Sequence, residues 1–182
     1  MGMNEAALQG LIGELLSDPG GALLFLDGTH QGVMNFIALT HALETTFTEL
    51  EELERFGQLL YDPEHIYYYG ISQGHILGTT FVALSPHIDR AVMNVGGAPF
   101  SFMMSRSNNF RAFLALIERV MGSYLEVQKF VTLCQHSFDR IDPSTYASRL
   151  VVPDLDGAPA ERKILLQFGL WDHSVPTLAG MI

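Results

Sequence analysis

The stretch Gly70–Gly74, with the sequence Gly-Ile-Ser-Gln-Gly, constrains the fold of this chain more than any other feature. An apolar, β-favouring run ending at Tyr69 leads into it, and a helical pattern follows as far as Leu84. Gly-x-Ser-x-Gly between a strand and a helix is the sequence form of a nucleophile elbow, a sharp turn that lifts a serine hydroxyl above a sheet edge. Glycine suits both flanks because the turn is strained and closely packed. The alternative interpretation is a glycine-rich turn with a solvated serine.

Apolar runs alternate with helical patterns along the rest of the chain. The predicted strands are Ile66–Tyr69, Arg90–Val95 and Lys163–Phe168, with Ala22–Leu26 as a candidate strand or buried turn. The predicted helices are Asn4–Leu16, Val33–Leu60 and Gly74–Leu84, followed by a mostly helical region over Phe100–Phe138. This alternation predicts an α/β fold whose central sheet is mostly parallel and flanked by helices. The 182 residues suffice for one domain, in which residues 100–150 form a helical, cap-like insertion.

Composition narrows the class of protein. The chain is 48% hydrophobic and only 16% charged, which favours a sheet buried on both faces. Its formal net charge of −10 argues against nucleic acid and anionic membranes as partners, because both require basic patches. No stretch is long and apolar enough to predict a membrane span.

Cysteine usage and the first residues bear on the cellular compartment. Cys134 is the only cysteine, so the chain forms no intrachain disulfide and no thiolate metal cluster. No basic segment precedes an apolar stretch near Met1, so we expect no secretory signal here. Together these features favour a reducing, cytoplasmic location.

A serine nucleophile needs a general base, and the base needs an acid to orient it. The segment Gly169–Pro176 follows a predicted strand and has the form Gly-x-x-Asp-x-x-Val-Pro, which indicates Asp172 as that acid. Asp172 lies 100 residues after Ser72, which leaves room for one strand and an inserted cap. The alternative is a turn aspartate that caps a short helix.

The base is harder to assign. His173 is the nearest candidate in sequence, yet adjacent side chains on an extended turn point apart, which makes a joint action with Asp172 awkward. The remaining histidines are His30, His41, His65, His75, His87 and His136. We expect His75 to pack as a structural residue on the first turn after the elbow. His30 falls on a predicted loop and could line the site.

An oxyanion hole requires two donors near the nucleophile. The backbone amide of Gln73, directly after Ser72, supplies the first. For the second, the candidates are Gly28, Thr29 and His30, in the only glycine-bearing loop predicted upstream. A solvated turn is the alternative there.

Methionine and phenylalanine are concentrated after the central strand. The set comprises Phe100, Phe102, Met103, Met104, Phe110, Phe113 and Met121. Such adaptable apolar side chains are typical of a pocket for an acyl group. Ordinary packing between helices accounts for them equally well.

In the elbow, in the strand from Ala91 to Pro99 and in the acid loop Gly169–Pro176, the chain resembles the α/β-hydrolase superfamily, in particular bacterial serine esterases and lipases. The resemblance implies hydrolysis of small carboxylic esters with an apolar acyl group, through an acyl-enzyme on Ser72. It implies no cofactor and no metal. Members of the family carry further strands before the elbow and a strand and histidine after the acid, so the chain is expected to match the middle of that fold, truncated at both ends.

Two questions stay open at this stage. Thioesterases, peptidases and acyltransferases share the machinery of an esterase, and the sequence does not separate them. The alternative function is a non-catalytic binding or assembly module built from the same core. A short sheet with an exposed hydrophobic edge would favour pairing with a second copy of the chain.

Overall fold

The computed structural model describes residues 21–152 and 155–181 of the chain. The α-helices within them are α1 (Gly21–Glu44), α2 (Gln73–Leu84), α3 (Phe100–Arg106), α4 (Arg111–Met121), α5 (Tyr124–Phe138), α6 (Pro143–Tyr146) and α7 (Thr177–Met181). The strands are β1 (Glu54–Arg55), β2 (Gln58–Leu59), β3 (Tyr68–Ile71), β4 (Arg90–Asn94) and β5 (Lys163–Gln167). The predicted helix Asn4–Leu16 lies outside the described residues. In the described part of the chain no helix is long and apolar enough to cross a membrane.

A parallel sheet of order β3-β4-β5 organises the described residues. Its register aligns Ile71 with Asn94 and Asn94 with Gln167, so the three strands end side by side. The mixed α/β class and the parallel pairing of all three predicted strands are therefore confirmed. Strand boundaries differ from the prediction by one or two residues, as expected where strands pass into turns.

Helix α2 covers one face of this sheet. Phe81 and Val82 of the helix belong to a buried cluster with Ala91 and Met93 of β4, and Val33 of α1 joins it. Fully burying a phenylalanine, valine or methionine side chain, as in this cluster, contributes roughly 1.5–3 kcal/mol. The core thus anchors the helix that follows Ser72.

The opposite face of the sheet is open among the described residues. Tyr69 is 59% exposed, Ile71 52% and Leu165 53%, and Tyr69 lies in register with Val92 and Leu165. The expectation of a sheet buried on both faces is wrong for this part of the chain. Strand β3 carries apolar side chains at positions 69 and 71, which alternate with Tyr68 and Gly70 toward the core.

Helix α1 replaces two predicted elements. It runs from Gly21 to Glu44, so Ala22–Leu26 is helical rather than a strand, and the predicted Gly28–Gly32 loop is helical as well. The helix also ends earlier than the predicted Leu60. Leu26 and Val33 are buried seven residues apart, the spacing of one helical face, and this packing outweighs the low helix propensity of the glycines.

Helices α3 to α6 fill the sequence between β4 and β5, which agrees with the helical character predicted for residues 100–150. Gly122 ends α4 with a φ of +83°, and the Ser123 hydroxyl caps α5 by accepting from the Glu126 amide. Val127 and Val131 pack with residues of α4 in a second buried cluster, separate from the core under the sheet. The assignment of this region as a cap stays a prediction.

Candidate active site

Ser72 occupies the turn between β3 and α2. Its φ of +53° and ψ of −115° are unusual for a residue with a side chain, and the side chain is exposed. The turn is fixed on both sides, because the Ser72 amide donates to the Asn94 carbonyl over 2.9 Å while the Ser72 carbonyl accepts from the amides of His75 and Ile76. Its hydroxyl makes no helix-capping hydrogen bond, although serine commonly does so at this position. A strained, exposed serine of this kind has the local geometry of a nucleophile elbow.

The glycines of the motif differ in their steric importance. A Cβ atom on Gly70 would collide with the backbone carbonyl of Gly74, and one on Gly78 would collide with the ring of Tyr68. A Cβ atom on Gly74 would meet only the Tyr68 hydroxyl, at an ordinary 3.6 Å. Close packing therefore demands glycine at 70 but not at 74. The Tyr68 hydroxyl fastens the turn by donating to the Gly74 carbonyl over 2.7 Å.

The loop carrying Asp172 begins at the same end of the sheet. Ser72 follows β3 directly, and the loop starts two residues after the end of β5. Because neighbouring strands lie about 4.8 Å apart, the register places the ends of β3 and β5 about 10 Å from each other. The carboxyl ends of parallel strands are where α/β proteins bind their ligands.

Asp172 organises its own loop. Its Oδ1 accepts hydrogen bonds from the backbone amides of Ser174 at 2.8 Å and Val175 at 3.0 Å. Trp171, just before it, has a φ of +60°. The second oxygen, Oδ2, lies 3.2 Å from where a Cβ atom on Gly169 would stand. Oδ1 therefore caps the turn, as the alternative interpretation of Asp172 expects. Oδ2 takes no part in these two hydrogen bonds.

His173 is an exposed residue of this loop. Its backbone carbonyl accepts from the Asn108 amide over 2.8 Å, which ties the loop to the end of α3. Its imidazole forms no hydrogen bond with any residue the structure describes. The loop holds the backbone of His173, and its side chain lies at the surface.

His75 is held in the opposite way. It is only 6% exposed, and its Nδ1 accepts from the Gly96 amide over 2.7 Å. Burial lowers the pKa of its imidazole to about 4. A buried residue whose ring nitrogen is already engaged with the backbone agrees with the structural role expected for it.

The two expected oxyanion donors differ in where they lie. Gln73 is the first residue of α2, where a backbone amide has no acceptor within the helix. Gly28, Thr29 and His30 lie within α1, so the prediction that they form a loop is wrong. The imidazole of His30 instead hydrogen-bonds the carbonyl of Arg140 at 2.8 Å.

Six of the seven residues in the methionine- and phenylalanine-rich set divide between two clusters, whereas Met121, at the end of α4, is exposed and belongs to neither. Met104, Phe110 and Phe113 join the packing between the helices α4 and α5. Phe100, Phe102 and Met103 instead form a third cluster with Val175, Ala179 and Ile76. Ile76 is on the first turn after Ser72 and Val175 is three residues after Asp172. The third cluster therefore joins α2, which is the elbow helix, to α3 and to the acid loop. Of the methionine- and phenylalanine-rich set, only the three residues in this cluster adjoin the site.

One residue of this region was missed by sequence reasoning. Arg106 ends α3, and its guanidinium carbon lies 3.7 Å from the centroid of the Phe102 ring. The sequence carries one signal for this contact. Arg106 is the only charged residue of α3 and follows Phe102 by four positions, a spacing that places both side chains on one face of a helix.

Comparison with protein-family models, curated protein sequences and solved structures finds no match to this chain. Among the described residues no group of three or more histidine, cysteine, aspartate or glutamate side chains is arranged to hold a metal ion. The functional assignment therefore depends on the geometry around Ser72.

Proposed function

We propose that the protein is a serine hydrolase of the α/β-hydrolase type, acting on carboxylic esters through an acyl-enzyme on Ser72. The observation that carries the proposal is the backbone of Ser72, whose φ of +53° and exposed side chain occur at the carboxyl end of a parallel strand. Strain of this kind costs of order 1–3 kcal/mol and persists mainly where it serves a function. The loop of Asp172 starts at the same end of the sheet.

The proposed reaction begins with attack of the Ser72 Oγ on the ester carbonyl carbon, while a general base removes the hydroxyl proton. The amide of Gln73 donates to the developing oxyanion at the positive end of the α2 dipole. The alkoxide leaves with a proton returned by the base, and water then hydrolyses the acyl-enzyme by the same route. His173 is the candidate base and Asp172 the candidate acid, because both belong to the loop at this edge. Their side chains are not hydrogen-bonded to each other in the structure, so the proposed reaction requires the exposed His173 side chain to turn toward Ser72 and Asp172.

The acyl group is proposed to lie against the third apolar cluster. Ile76, Phe102 and Val175 bring apolar side chains from the elbow helix, from α3 and from the acid loop. Such surfaces accept aliphatic chains without fixing their length closely. Short or medium acyl esters are therefore the proposed substrates.

A fluorophosphonate probe together with p-nitrophenyl esters tests this function. The probe should label the wild-type protein at Ser72, and Ser72→Ala should remove both labelling and turnover, because the nucleophile has no substitute. Ser137→Ala is the matched control, since Ser137 is exposed on α5, away from the elbow in sequence. Absence of label on Ser72 in folded wild-type protein would contradict the proposal.

The second candidate is a non-catalytic binding or assembly module. One face of the sheet is open among the described residues, which favours this candidate because parallel sheets are ordinarily covered on both faces. Light scattering coupled to size exclusion separates the two candidates when combined with the ester assay. A stable oligomer that is inert toward esters supports the module, and a monomer with ordinary turnover excludes it.

A further inference from the structure

The exposed guanidinium of Arg106 packs on an aromatic ring near the candidate site. Its guanidinium carbon lies 3.7 Å from the centre of the Phe102 ring, well within the range of a cation–π contact. Phe102 is itself half-buried and packs against the cluster that contains Val175. A guanidinium lying on an aromatic ring keeps its N–H groups at its edge, where they can meet a planar anion. The exposed side chain is thus oriented before any ligand arrives.

The position of Arg106 places this cation near the acid loop. Two residues further along, the Asn108 amide donates to the His173 carbonyl over 2.8 Å. Because consecutive Cα atoms are 3.8 Å apart, the Cα of Arg106 lies at most about 8 Å from that of Asn108. Helix α3 therefore ends against the loop that carries Asp172.

No carboxylate of the described residues forms an ion pair with Arg106. The chain has 20 acidic and 10 basic residues, and ion pairs join Arg90 to Asp89, Lys129 to Glu126 and Arg140 to Asp27. In so acidic a protein, an exposed arginine that has no carboxylate partner among the described residues is a group suited to bind a carboxylate from outside.

We propose that Arg106 binds a carboxylate at the far end of the acyl chain, so that the preferred substrates are monoesters of dicarboxylic acids. The inference rests on the proposed esterase function. The methylene chain of such a substrate would lie along Ile76 and Phe102, and its terminal carboxylate would reach the guanidinium. Charge-assisted hydrogen bonds of this kind are roughly twice as strong as those between neutral groups.

The proposal is tested with two p-nitrophenyl esters, the hydrogen adipate and the hexanoate. Their acyl chains are equally long, but only the adipate ends in a carboxylate. Arg106→Gln should lower kcat/KM for the adipate ester by about tenfold or more, which corresponds to about 1.4 kcal/mol. It should change kcat/KM for the hexanoate ester by less than about twofold. Arg106→Lys should recover part of the loss, because lysine keeps the charge but not the planar contact with Phe102. Arg119→Gln, on the exposed side of α4, should alter neither rate. An equal effect of Arg106→Gln on both esters would overturn the proposal.

A binding measurement separates this inference from the proposed reaction. Monomethyl adipate is titrated calorimetrically into Ser72→Ala protein and into the same protein carrying Arg106→Gln. Binding at least about tenfold weaker in the double variant supports the carboxylate site even if no ester is hydrolysed. Equal affinities, or no binding to either protein, refute the site whether or not the wild type is an esterase.

Discussion

The imidazole of His75 accepts a hydrogen bond from the backbone amide of Gly96 over 2.7 Å. The contact joins the first turn of α2 to Gly96, which lies two residues after the end of β4. A Cβ atom on Gly96 would overlap the imidazole ring. Protonation at Nδ1 would turn the acceptor into a donor facing another donor. The neutral ring therefore holds the elbow helix against the neighbouring strand.

This contact predicts a loss of stability in mild acid. The pKa of His75 is about 4 in the folded protein against 6.5 ordinarily, so between these values the unfolded chain binds a proton that the folded protein does not. The contribution is complete above pH 6.5 and is lost as the pH falls toward 4, with a ceiling of about 3 kcal/mol. Urea unfolding at about pH 7.5 and about pH 4.5 measures it.

Matched variants isolate the histidine from the carboxylates that titrate in the same range. His75→Asn keeps an acceptor for the Gly96 amide without a titrating ring, so its free energy of unfolding should fall less steeply with acid than that of the wild type. His136→Asn, which removes an exposed histidine of α5, should leave the slope unchanged. Identical slopes for wild type and His75→Asn would show that the buried ring does not sense pH.

Two glycine-to-alanine changes should have opposite effects on stability. Gly70→Ala places a methyl group against the Gly74 carbonyl and should destabilise the fold by about 1–3 kcal/mol. Gly28→Ala lies in α1 with nothing within 4 Å of its Cβ position, so it should stabilise by about 0.5–1 kcal/mol. Thermal unfolding of both variants checks the signs. A Gly70→Ala protein as stable as the wild type would mean that the elbow can relax.

These two glycines also show what the sequence could predict. Gly70 belongs to a local pattern in which strand, turn and helix are consecutive, so the local sequence is sufficient to predict the turn. Gly28 and Gly32 resemble a loop in sequence, yet Leu26 and Val33 bury one face of a helix against the core. Tertiary packing of this kind is not visible in a window of local sequence. The site divides in the same way. Ser72 follows from its neighbours in sequence, whereas the hydrogen bond from Asn108 to His173, which brings the end of α3 and Arg106 near the acid loop, depends on the fold.

Asp142 should be the most sensitive carboxylate of the helical region. It is 0% exposed, and its oxygens accept from the Phe100 amide, the Gln135 side chain, and the amide and hydroxyl of Ser144. Asp142→Ala leaves these donors buried without an acceptor and should cost about 3 kcal/mol or more. Asp142→Asn should cost less, because one oxygen acceptor remains. Urea unfolding ranks the two variants.

The exposed neighbour Asp139 provides the control for that ranking. It also accepts from Gln135, over 2.8 Å, but it is solvated. Asp139→Asn should therefore change the free energy of unfolding by less than about 0.5 kcal/mol. If Asp142→Ala lowered the free energy of unfolding by as little as Asp139→Asn, the buried carboxylate would not be the group that fixes the start of α3.

Asp172 can be tested so that its structural and chemical roles separate. Asp172→Asn keeps a side-chain oxygen for the amides of Ser174 and Val175, whereas Asp172→Ala removes it. The asparagine variant should be nearly as stable as the wild type, and the alanine variant should lose about 1–2 kcal/mol. If Asp172 orients the base, both variants should lose ester turnover by about a hundredfold or more, since neither carries the negative charge. Turnover that instead follows stability, with Asp172→Asn close to wild type, would reduce Asp172 to a residue that shapes the turn.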